Sequence, residues 1–275
     1  MRTSKPLENR RDTAPVRLMT YNIHRWAGRD QRLDLDRLAS VIRDAGADVV
    51  GLNEVLHPVT MNGRTYAPLA ELADKLDMRY AFGPSGWLDY GPGWQGPVGN
   101  ALLSRFPLRD VTNTLLPRLP SSKQRSLLGA TLAGGAARDL TAFVTHLDHA
   151  FEGTRLLQIQ GVLKRMAQHG PHFLVGDFNT PGFVGRNTRL LLPPVLRMLA
   201  AAGYQDAFHA VGNGSGRTFP SHSPLVRIDF LFLPLRWAHG LRSARALGGD
   251  VMHQASDHRP LIVEWAWPQG EALPA

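Results

Sequence analysis

Residues 172–180 read HFLVGDFNT: an apolar run, a glycine, then a carboxylate and an amide two positions apart. A strand that is merely buried does not end this way, because a desolvated carboxylate without a partner is costly. The run 172–176 predicts a strand. Asp177 and Asn179, two apart on an extended segment, are expected to face the same side. Gly176 is expected where the backbone turns or is closely approached.

Working outward, residues 153–168 place Leu156, Ile159, Leu163 and Met166 on one helical stripe just before this strand. Short apolar runs at 17–23, 48–54, 98–104, 127–132, 140–146, 227–233 and 260–266 predict further strands. Those at 98–104, 127–132 and 140–146 have no convincing helix between them and are expected to pair antiparallel. Leu35, Leu38, Val41, Ile42 and Ala45 predict a helix with Asp34 as N-cap and Gly46 as its stop. Helices are also expected over 67–77 and 188–202. Residues 83–97, rich in glycine and proline, read as a long surface loop carrying Trp87, Tyr90 and Trp94. No linker separates two cores, so a single layered α/β domain is expected over 17–267. It would be flanked by a basic N-terminal tail (1–16) and a short C-terminal tail (268–275).

Five predicted strands share one oddity: each ends in groups able to bind a metal or a phosphate. They carry Asn22, Glu54, His146 with Asp148, Asp177 with Asn179, and Asp229. A sixth segment, SDHRP at 256–260, adds Asp257 and His258 just before the last strand. Any one of these has an ordinary explanation, since Asn and Asp cap turns. Six together are harder to explain that way, because strand ends converge at the rim of a sheet and rigid elements position side chains well.

Composition narrows the chemistry. The 275 residues include no cysteine, which excludes disulfides, thiolate metal sites and a cysteine nucleophile. Oxygen donors without thiolates suit a hard cation such as Mg²⁺ or Mn²⁺, with Glu54 the best single ligand. A carboxylate can orient and deprotonate a water, an amide can donate to a phosphate oxygen, and histidines move protons near neutral pH. The net charge of +8 favours a polyanionic partner, although only four of the 31 basic residues are lysine. No apolar run approaches a membrane span. The opening MRTSKPLENRRDTAPV lacks the apolar core of a secretory signal, so a cytoplasmic location is expected.

The ordered set TYNIH, DVVGLNEV, GNALLSRFPL, VTHLDH, LVGDFNT, RIDFLF and SDHRPL resembles the endonuclease/exonuclease/phosphatase superfamily, over about residues 17–266. The resemblance implies a four-layer α/β/β/α sandwich, two packed mixed β-sheets flanked by helices. It also implies Mg²⁺- or Mn²⁺-dependent phosphoester hydrolysis. Carried across by motif, Asn22 and Glu54 would lie at the metal, with Asp257 close to it. Asp177 would position or activate water, and Asn179 would hold a phosphate oxygen. Asp229 would pair with His258 against the scissile phosphate, and His146 would contact phosphate or assist the leaving group. Asn100 would line the floor. One departure is Asn53, where many members have glutamine.

Other residues admit two readings. Arg155 reaches the site or substrate, or is a solvated helix-end arginine. Arg125 reaches a phosphate or does not. His24 lies near the site or is structural. Trp26, Trp87, Tyr90 and Trp94 stack on bases or pack under their own loops. Thr218 and His222 fall in a loop leading to the Asp229 strand. The leading expectation is a phosphodiesterase acting on nucleic acid, DNA or RNA. A lipid or inositol phosphoesterase of the same fold, or a binding module without catalysis, are the alternatives.

Overall fold

The computed structural model describes residues 14–89, 94–134, 137, 139–182 and 192–267. The first sheet contains β1 (Val16–Asn22), β2 (Val49–Leu56), β3 (Val59–Met61), β4 (Arg64–Tyr66), β5 (Arg79–Asp89) and β6 (Gln95–Ser104). The second contains β7 (Leu108–Leu115), β8 (Ser126–Leu132), β9 (Leu140–His146), β10 (His172–Gly182), β11 (Tyr204–Asp206) and β12 (Arg227–Pro234). β13 (Leu241–Ala246) and β14 (Leu261–Trp265) return to the first. Its order is β13-β14-β1-β2-β6-β3-β4 with β5 on β6, and the second runs β11-β12-β10-β9-β8-β7. Both are mixed: β1–β2 and β9–β10 pair parallel within otherwise antiparallel sheets.

Helices cover the outer faces. α1 (Leu35–Ala45) and α2 (Pro68–Leu76) pack on the first sheet, where Leu38, Ile42 and Leu72 meet Met19, Val50 and Leu103. α3 (Glu152–Met166) and α4 (Pro194–Ala201) cover the second, where Ile159, Val162 and Leu199 meet Phe143, Leu174 and Phe230. α5 (Ala207–Val211) and α6 (Asp250–Ala255) are short. α1 forms as the sequence predicts: Asp34 accepts from the Arg37 amide, and Gly46 closes the helix at φ 64°.

Between the sheets, Leu18, Val49 and Leu102 pack against Val144, Val175 and Leu231. Alternation explains why these strands read as unbroken apolar runs. In β9, Ala142 and Val144 face the opposite sheet, while Phe143 faces the helices. This is the four-layer sandwich, α/β/β/α.

Several expected elements differ. Of the loop expected over 83–97, residues 90–93 lie outside the described residues and 83–89 and 95–97 are strand: β5 and β6 form a long antiparallel ladder, from Arg79↔Ser104 to Asp89↔Gln95. Pro84 is tolerated because β5 pairs only with β6 and its register shifts between Pro84 and Gly86. Strand 98–104 belongs to the first sheet and packs face to face on 127–132 and 140–146, which pair antiparallel with each other in the second. Val16, expected in the tail, is buried in β1 opposite Trp265. Of the helix expected over 188–202, residues 188–191 lie outside the described residues and the helical part is Pro194–Ala201. Residues 1–13 and 268–275 lie outside the described residues as well. Among the described residues, no helix is long and apolar enough to cross a membrane.

Candidate active site

The site occupies one end of the interlayer core. Read in steps of two, the inward faces run Leu18–Thr20–Asn22, Val49–Gly51–Asn53 and Leu102–Asn100 in the first sheet. In the second they run Val144–His146, Val175–Asp177 and Leu231–Asp229. Each inward series thus changes from apolar to polar at the same end of the sandwich. The pairing makes the second set a row: His146 is opposite Asp177 across β9–β10, and Asp177 opposite Asp229 across β10–β12.

Gly176 allows the close approach. At φ 149°, a Cβ there would stand 1.8 Å from the Thr145 carbonyl oxygen. Just beyond, the β10–β12 register shifts between Asp177 and Gly182, and Asn179 adopts φ 49°. This corrects the expectation from simple alternation. Asn179 and Asp177 converge because the chain bends and the Asn179 amide donates to Asp177 Oδ1 at 2.9 Å. Glu54 is re-aimed in the same way, at φ 55° within a register shift between Leu52 and Val55.

Asp177 is held from several sides. Its amide donates to Asn53 Oδ1 at 2.8 Å, and Asn22 Nδ2 donates to its Oδ2 at 3.0 Å. His258 Nδ1 lies 2.9 Å from Asp229 Oδ2, while its Nε2 lies 3.7 Å from Asp177 Oδ2. Burial alone would lower the pKa of His258, but Asp229, then Asp177 and Asp257, more than reverse that and favour the imidazolium. Burial raises the Asp177 carboxyl; the Asp229 charge adds to this and His258 opposes it. His146 behaves oppositely to His258: burial and the Arg125 charge push it well below the usual imidazole range.

These groups open into a cleft of about 480 Å³. Glu54, Asp257, Asn100 and Asn179 line it, as do Asp177, His146 and His258. Arg25, Lys123 and Arg125 add positive charge, and Trp87, 67% exposed, stands at its edge. His24 lines the cleft too. Arg25 Nε approaches Glu54 Oε2 at 3.3 Å, so a cation already rests on that carboxylate. With Asp257 in the same cleft, this hard-oxygen donor set fits a divalent ion such as Mg²⁺ or Mn²⁺. Asp177, Asp229 and His258 also place ligand atoms within 4.8 Å of one another, but His258 Nδ1 and Asp229 Oδ2 hold each other and Asn22 holds Asp177 Oδ2.

Several expectations take a different form. Arg155 is neither at the cleft nor a solvated arginine. It is buried, with Nη2 on Glu152 at 2.6 Å and Nη1 on the Asp148 carbonyl at 3.0 Å, and so braces the turn after His146. The Asn100 amide is taken up by Asn53 at 2.8 Å and the Ser126 carbonyl at 2.9 Å, so Asn100 builds the floor and has little left for substrate. Asn22 uses both amide ends, Nδ2 on Asp177 and Oδ1 on the His24 amide. Trp26 is core, 1% exposed, and donates to the Leu56 carbonyl. Trp94 packs against the first-sheet core, and Tyr90 lies outside the described residues. Thr218 Oγ1 accepts from the Ile228 and Asp229 amides, while His222 is exposed.

Sequence reasoning undervalued two residues. Asn53 bridges the sheets, accepting from Asp177 and donating to the Thr145 carbonyl at 2.9 Å. Arg125 lies 3.0 Å from His146 Nδ1. Only the mixed polar tract before β8 hinted at the second.

A sequence model described as the endonuclease/exonuclease/phosphatase family matches residues 19–258, a span that holds every group of the row and the cleft carboxylates. The chain belongs to that family. Proteins with similar sequence or fold include YbhP of Escherichia coli K12, an uncharacterized protein. It is 25% identical over 257 residues, covering 90% of this chain and 95% of YbhP. A family structure from Beutenbergia cavernae superposes with a TM-score of 0.75 at 23% identity, covering 92% of this chain and 72% of that one. The mannosyl-6-phosphatase Bt3783 of Bacteroides thetaiotaomicron gives 0.70 at 16%, covering 92% and 100%. The 3' phosphatase NExo from Neisseria, bound to product DNA hairpin, gives 0.65 at 18%, again covering 92% and 100%. The chain is thus a hydrolase of this family, and these solved structures share its fold.

Proposed function

We propose that this protein is a divalent-cation-dependent phosphodiesterase that cleaves nucleic acid. The observation that carries the reading is the composition of the cleft: Arg25, Lys123 and Arg125, with exposed Trp87, line it together with Asp177, Glu54 and Asp257. Cations suit a polyphosphate backbone, and an exposed aromatic ring suits a base or sugar beside the scissile group.

Asp177 orients the attacking water and takes its proton at Oδ2. The water oxygen bonds to phosphorus as the opposite P–O ester bond breaks, and the departing oxygen is protonated from solvent. His258, kept protonated by Asp229, donates to a phosphoryl oxygen, and Asn179 donates to another. Glu54 and Asp257 would hold the cation, while Asn22, with both amide ends engaged, supports Asp177. Once bound, the cation supplies charge stabilisation at the phosphoryl group.

A second reading, a small sugar or inositol phosphate as substrate, is favoured by the modest cleft volume of about 480 Å³. A mannosyl-6-phosphatase and a DNA 3' phosphatase share this fold, so the fold accommodates both classes. The deciding experiment is a panel of single-stranded, duplex and abasic DNA, RNA, sphingomyelin, and inositol and sugar phosphates, each with Mg²⁺ and with Mn²⁺. Turnover of nucleic acid, with binding that weakens steeply as salt rises, is expected. Turnover of sugar or inositol phosphate alone selects the second reading, and turnover of lipid alone overturns both.

A further inference from the structure

His146 stands between two donors. Arg125 Nη1 lies 3.0 Å from its Nδ1, and Asn179 Nδ2 lies 2.9 Å from its Nε2. A neutral imidazole has one ring hydrogen and one lone pair. A guanidinium offers only hydrogens and stays charged in proteins. Nδ1 must therefore supply the lone pair, which leaves the hydrogen on Nε2.

The two partners of the ring differ in freedom. Asn179 Nδ2 also donates to the Leu147 carbonyl at 3.0 Å, so this amide keeps a partner when it gives up its contact with the ring, whereas a guanidinium facing Nδ1 can never accept. The charged groups around the ring agree with this assignment. Asp177 Oδ2, which can only accept when ionised, lies 3.6 Å away on the Nε2 side. His258, His149 and Lys123 contribute the other nearby positive charge and, with Arg125, oppose an imidazolium at this position. His258 is the contrast: its Nδ1 faces the Asp229 carboxylate, so that nitrogen carries a hydrogen.

We propose that Arg125 is a positioning residue that locks His146 as the Nε2–H tautomer, making it a hydrogen-bond donor to the substrate phosphoryl group and not the base that deprotonates water. The identity of the group that receives this hydrogen bond rests on the proposed function; the tautomer does not, and it can be read in the free protein.

The test is ¹⁵N NMR of the full chain with labelled histidines and no substrate, the His146 ring being assigned by its loss in His146→Gln. A protonated Nε2 and an unprotonated Nδ1 are expected. His172 is an internal control of opposite pattern, because its Nδ1 faces the Gly170 carbonyl at 2.7 Å and must carry the hydrogen. Arg125→Met should give His146 a mixture of tautomers while His172 stays unchanged, reporting an intact fold. Arg125→Lys, which also only donates, should restore the Nε2–H form. With substrate, Arg125→Met should lower kcat about tenfold with KM little changed, and Arg125→Lys should recover most of that. An Nδ1–H ring in the parent protein, or an Nε2–H ring that persists unmixed in Arg125→Met, would overturn the proposal.

Discussion

His146 and His258 reach the same oxygen, Asp177 Oδ2, at 3.6 and 3.7 Å. They are not equivalent. His258 has a carboxylate on its other nitrogen and His146 has a guanidinium. One carboxylate thus lies between an imidazole held charged and an imidazole held neutral, an arrangement suited to separate proton roles.

Removing the counter-charge should disable the first of these. Asp229→Asn removes the strongest of the charges that hold His258 protonated and leaves Asp177 and Asp257 alone against burial, so its pKa falls. A fall in kcat of about 100-fold or more is expected for this variant, for Asp177→Asn and for His258→Ala, as for a lost acid–base or oxyanion group. Steady-state kinetics on the substrate that emerges from the panel will check this. Near-parent rates in all three variants would refute the assignment.

The cation seat makes a paired prediction. Excess chelator should abolish turnover, and Glu54→Gln should raise the Mn²⁺ concentration needed for half-maximal activity by about tenfold or more. Arg25→Ala removes the guanidinium that competes for Glu54 and should shift that concentration the other way. A chelator-resistant activity would eliminate the metal mechanism.

Gly176 supports the fold as well as the site. A methyl group 1.8 Å from the Thr145 carbonyl oxygen must push β9 and β10 apart where they pair in parallel. Gly176→Ala is expected to destabilise the protein by roughly 3 kcal/mol or more, readable as a lowered denaturation midpoint. An unchanged midpoint would mean the strands have slack there.

His172 predicts how stability depends on pH. Burial is the main cause that lowers its pKa to about 4, with the Gly170 carbonyl partly opposing it. The unfolded chain therefore binds a proton that the folded chain refuses between about pH 6.5 and 4. Stability is fully present above about 6.5 and declines as pH falls toward 4, by roughly 2–3 kcal/mol from this residue. His172→Gln should flatten that slope in urea melts at pH 7, 5.5 and 4. An equal slope in parent and variant would locate the acid sensitivity elsewhere.

Much of the site was legible in the sequence because β-strands alternate. A polar residue two positions beyond a core residue had to emerge at the edge of the same face, and His146, Asp177 and Asp229 all do. The less legible parts depend on departures from alternation or on partners distant in sequence. Positive φ at Glu54 and Asn179 leaves no clear mark in composition. The Asn53–Thr145 and Arg125–His146 contacts join segments whose proximity only the packed sheets create. Glycine and proline at 83–97 suggested a loop because their usual penalty in strands was assumed; a strand with one free edge and a bulge escapes most of it. Arg155 misled for a simpler reason: a basic residue near a catalytic motif can serve the backbone of that motif.

Asn53 has a mechanical consequence. Its short amide ties the first sheet to the Asp177 amide and the Thr145 carbonyl of the second, at the mouth of the sandwich. The two layers resemble the covers of a book whose spine is at the reactive edge. A polar tie at that edge sets the spacing of the facing residues there, Asn22 and Asn53 on one cover and Asp177 on the other.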